Sequence, residues 1–146
     1  MNDAIFHKNI IQCTWLFEAI ATQYRSMFGD IKKSNSVALY NHSLVFKTFQ
    51  KYMQIACSLL KQAKYNHTMQ IKNTSISAKS LSNNYNLYFK RSFIQLTNAN
   101  DLLKKLGYDH DFQNDFVIKT IFVKMNSLIS FYNQLDSVLY KLVNLS

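Results

Sequence analysis

The chain is 146 residues long, 48% apolar and 14% aromatic, with a formal net charge of +9. That length and apolar content support a packed core within one domain and exclude global disorder. Two glycines, Gly29 and Gly107, and no proline exclude a turn-rich β fold. Strand-to-strand turns draw on both residue types, whereas helix interiors tolerate neither.

In chain order, the first predicted helix spans about Asp3 to Phe28. Phe6, Ile10, Cys13, Phe17, Ile20, Tyr24 and Met27 recur there at steps of four and three, which places them on one face. Gly29 stands where a helix-ending glycine would, and Asp30 can cap the second helix. That helix begins between Asp30 and Ser36 and runs to about Lys64, with Val45, Phe49, Tyr52, Ala56, Leu59 and Ala63 inward. A polar stretch, Tyr65 to Thr74, reads as the longest loop. The third helix runs from about Ser75 to Leu106, with Leu81, Tyr85, Phe89, Phe93, Leu96 and Leu103 inward and Gly107 as its terminator. The fourth runs from about Asp111 to Val143 on Ile118, Ile121, Met125, Leu128, Ile129, Tyr132, Leu135 and Leu139. The pattern predicts an all-α fold, an antiparallel up-down bundle of about four long helices, as a single domain over residues 1–146.

Cys13 and Cys57 fall among apolar neighbours and read as buried free thiols of a reducing compartment. The start, Met1 to Ala4, lacks a basic leader region, and no segment reaches the ~20 apolar residues of a membrane span. The expectation is a cytoplasmic protein without a transmembrane segment.

No catalytic signature stands out, and no cofactor motif is present: there is no P-loop, no dinucleotide turn and no HExxH. Glu18 is the only glutamate, so a di-iron carboxylate bundle is excluded. His7, His42 and His67 are scattered among polar neighbours. Asp109, His110 and Asp111, with Asp115 beyond, cluster before the fourth helix. Three consecutive residues cannot converge on one ion while a helix starts beneath them, so this cluster reads as helix capping. Asp136 falls near the end of the fourth helix's inner stripe and reads as an edge residue reaching water or a lysine. The chain is expected to be neither an enzyme nor a metal binder.

Charge is the stronger signal. Residues 31–100 contain ten Lys or Arg and no Asp or Glu, while the segments on either side are close to neutral. Lys47, Lys51, Lys61, Lys64, Lys72, Lys79, Lys90 and Arg91 therefore give helices 2 and 3 a basic polar surface that would concentrate polyanions. The second signal is Trp15, which lies about 160° from Phe17 on a helical wheel and shares that back face with Ile11 and Ala19. Phe112, Phe116 and Val123 are similarly off the stripe of helix 4. Aromatic side chains left outside a core are favoured interface anchors. The sequence thus points to a non-catalytic adaptor, chaperone or immunity-type bundle. It would bind a protein partner or a second copy of itself through Trp15, Ile11, Phe112 and Phe116. The alternative is a basic helical binder of nucleic acid, or of an anionic membrane or granule surface, through helices 2 and 3.

Overall fold

The computed structural model describes residues 3–33, 44–71, 78–108 and 115–144. Within them the three-and-four spacing of apolar residues winds into four helices: α1 (Asp3–Lys33), α2 (Leu44–Ile71), α3 (Ala78–Tyr108) and α4 (Phe116–Asn144). They form an all-α up-down bundle in which each helix packs on the next and α4 returns to α1. Cross-helix pairs establish the antiparallel sense. Trp15 meets Phe131 while Asp30 meets Lys124, and Phe89 meets Tyr132 while Gly107 lies against Phe122.

The core runs the length of the bundle through Leu16, Phe17, Ile20, Tyr24 and Met27 of α1, Phe46, Phe49, Met53 and Leu60 of α2, Phe89, Leu96 and Leu103 of α3, and Ile121, Met125, Leu128 and Tyr132 of α4. The α2–α3 pair is the most intimate and α1–α2 the loosest. Small buried residues account for the former. Ser92 on α3 reaches the Ala56 carbonyl on α2 at 2.6 Å, and Ala63 and Ala99, seven residues further along each antiparallel helix, are buried on opposite sides of that contact, so the backbones approach closely. At the loose seam, Phe28, Ile31, Lys32, Gln50 and Gln54 line an open cleft of about 370 Å³.

Several expectations from sequence are corrected. Gly29 does not end α1, which continues through it to Lys33, and neither glycine has positive φ. Asp30 is not a cap but the partner of Lys124 on α4. Gly107 is likewise inside α3, and its role is space: a Cβ built there would lie 2.7 Å from Cζ of Phe122. The inward face of α2 is rotated from the expected one. Phe46, Met53 and Leu60 are buried with Phe49, Ala56 and Ala63, whereas Val45 is exposed and Tyr52 and Leu59 are only half-buried. The expected loop from Tyr65 is helix as far as Ile71, and His67 within it is 1% exposed.

The N-terminus of α4 is capped by Asp115. Its Oδ1 accepts from the backbone N–H groups of Val117 (2.8 Å) and Ile118 (3.2 Å). The expected start near Asp111 and the cluster Asp109, His110 and Asp111 lie outside the described residues.

Candidate functional site

Between α1 and α4 lies a face built almost without charge. Residues 9–17 of α1 and 125–135 of α4 contain no charged side chain. Because the helices are antiparallel, these two uncharged stretches lie side by side, held by the Trp15–Phe131 contact and the Asp30–Lys124 ion pair. Gln23 donates from Nε2 to the Lys124 carbonyl at 2.9 Å, and the Lys124 ammonium donates to Ser26 Oγ (2.7 Å) and to the Asp30 carboxylate. The one lysine near the middle of α4 is thereby turned toward α1.

Trp15 stands on this face 60% exposed, with its ring perpendicular to that of Phe131 (centroids 6.5 Å, 89°). A T-shaped contact of this kind is a favourable aromatic geometry, and it leaves most of the Trp15 side chain open to solvent. Ile11, one turn earlier, is 68% exposed. A shallow groove of about 580 Å³ runs nearby, lined by Gln12, Asn126, Ser130, Asn133, Gln134 and Ser137, with Lys141 among its borders. The arrangement supplies an aromatic anchor, an aliphatic neighbour and a row of neutral hydrogen-bonding side chains. Low charge around exposed aromatics is the composition of a protein-interface core.

The structure separates the other expected anchor from this patch. Phe116 is 81% exposed but sits fifteen residues before Phe131, about 22 Å along α4 at the helical rise. Val123 is exposed between them, and Phe112 lies outside the described residues. Trp15 and Ile11 therefore form one patch, and Phe116 marks the other end of the same side.

On the opposite side, Lys47, Lys51, Lys61, Lys90 and Arg91 are all exposed. Lys64 is set apart from them by an ion pair with Glu18 (2.6 Å) that ties α2 to α1. Lys72 lies outside the described residues, as does the side chain of Lys79. Asp136 is exposed.

Two buried polar features escaped the sequence reading. Ser92 Oγ donates to the Ala56 carbonyl at 2.6 Å, and its hydroxyl also meets Tyr132, which meets Tyr24. A carbonyl can only accept, so the chain has one sense: Tyr24 donates to Tyr132, Tyr132 to Ser92, and Ser92 to Ala56. One line of hydroxyls thus links all four helices. Burial raises the Tyr24 and Tyr132 phenols well above their ordinary range, which keeps both protonated.

The second feature is His67, whose ring lies against Phe17 with centroids 5.3 Å apart and the planes tilted by 37°, and which meets Thr14 Oγ1 through Nε2 at 3.0 Å. Thr14 gives its own proton to the Ile10 carbonyl, so Nε2 carries the ring proton. Burial pushes the His67 pKa down to about 4. Ser92 falls on the spacing of Phe89, Leu96, Ala99 and Leu103, and His67 on that of Met53, Ala56, Leu60 and Ala63, so position signals burial while polar identity argues against it.

Cys13 is buried, and burial pushes its thiol up to about 12, which favours the protonated thiol over the thiolate. Among the described residues no three His, Cys, Asp or Glu side chains converge, and no helix is long and apolar enough to cross a membrane. Comparison with protein-family models, with curated proteins and with solved structures finds no match.

Proposed function

We infer that the chain is a non-catalytic interaction protein that binds a protein partner through the α1–α4 side. The single observation that carries this reading is Trp15, the only tryptophan, held out of the core against Phe131 on a charge-depleted face. An exposed indole gains most when a partner covers it, and a ring already oriented loses little freedom on binding. The neutral amides and hydroxyls around the groove add directional bonds without the desolvation cost of charges.

The test is affinity capture from a nuclease-treated lysate of the native host at low and high salt, with wild type beside Trp15→Ala. The reading predicts a specific protein retained at high salt, lost with Trp15→Ala, and able to shift Trp15 emission to the blue when titrated back. Capture that ignores Trp15→Ala and vanishes with salt contradicts it.

A further inference from the structure

The geometry points to the outward faces of α2 and α3 as a docking surface for an anionic lipid bilayer. The two helices carry nine Lys or Arg and one acid, Asp101, which is exposed on α3. Charge alone would fit any polyanion. The apolar residues between the charges decide among them. Along α2, Leu44, Lys47, Lys51, Ile55, Ser58, Gln62, Tyr65 and Met69 follow steps of three and four, and every one is exposed. Along α3, Leu87 and Ile94 are 53% and 59% exposed, with Arg91 between them on the same strip.

Single exposed aliphatics need no explanation. Here they lie among cations, with Lys47 and Lys51 between Leu44 and Ile55 on α2 and Arg91 between Leu87 and Ile94 on α3, and the two helices pack directly against each other. A phosphate backbone rewards the cations and gains nothing from Leu44, Ile55, Met69, Leu87 or Ile94. An anionic bilayer rewards both, since cations meet headgroups while aliphatic tips enter the headgroup–acyl boundary. The surface lies across the bundle from Trp15, so a bilayer and a protein partner could be held at once. The inference is independent of the proposed protein partner.

The test is flotation of the intact chain with vesicles of phosphatidylcholine, with vesicles of phosphatidylcholine and phosphatidylglycerol, and a parallel titration with duplex DNA. Circular dichroism verifies the fold of each variant. The wild type should float with the anionic vesicles and not with the neutral ones. Leu87→Asn with Ile94→Asn should weaken that binding by about tenfold or more while leaving any DNA binding unchanged. Lys51→Glu with Arg91→Glu should weaken it by about fivefold or more per charge. Absence of flotation, equal flotation with neutral vesicles, or vesicle binding untouched by the asparagine pair would each overturn the proposal. DNA binding tighter than vesicle binding would assign the face to nucleic acid instead.

Discussion

The phenolic oxygens of Tyr24 and Tyr132 lie 2.8 Å apart at the centre of the bundle, with their rings nearly perpendicular (83°). Because Ser92 fixes the direction of the hydroxyl chain, the two tyrosines are not equivalent. Tyr132→Phe leaves the Tyr24 hydroxyl a buried donor with no acceptor there, a loss of about 1–3 kcal/mol. Tyr24→Phe removes only a bond that Tyr132 accepts and should cost less, about 1 kcal/mol. Urea denaturation of the two variants gives the order. A greater loss in Tyr24→Phe would reverse the assigned sense of the chain.

His67 makes stability depend on pH in a defined window. Its folded pKa of about 4 lies below the ordinary value of 6.5, so the unfolded chain takes up the proton first. The contribution is complete above pH 6.5 and is lost progressively as pH falls toward 4, by about 3 kcal/mol in all. Denaturation midpoints at pH 7 and pH 4.5 should differ accordingly, and His67→Phe should flatten the difference. An unchanged pH dependence in that variant would place the titration elsewhere.

The two glycines should respond oppositely to alanine. At Gly29 an added Cβ meets nothing within 4 Å, so Gly29→Ala should stabilise the protein by about 0.5–1 kcal/mol through helix propensity. At Gly107 the same gain is opposed by displacement of the Phe122 ring, so Gly107→Ala should give no increase in Tm. Equal stabilisation by both would contradict the close α3–α4 approach.

The fold was legible because α4 and α1 state their phase clearly. Ile118, Ile121, Met125, Leu128, Tyr132, Leu135 and Leu139 are all buried, and Trp15 and Ile11 are both outward. On α2 the phase was ambiguous, since Val45 and Phe46, or Leu59 and Leu60, are adjacent apolar residues about 100° apart. Three anchors, Phe49, Ala56 and Ala63, are common to both readings, and only packing against α3 selects between them. The glycines misled because flexibility and lack of volume leave the same letter in a sequence. Gly107 is used for its lack of volume. The pairing of two uncharged stretches across the α1–α4 side was hidden for a different reason: it joins residues 9–17 to residues 125–135, and only the antiparallel pairing brings them together.

The most direct test of the central claim is the fluorescence of Trp15 in the free, monomeric protein, paired with the stability of Trp15→Ala. With Trp15 60% exposed, emission should be red-shifted toward that of indole in water, and Trp15→Ala should cost under about 1 kcal/mol of folding stability. Blue-shifted emission in a proven monomer, with a loss of about 3–5 kcal/mol on substitution, would make Trp15 a core residue and contradict its role as the partner's anchor.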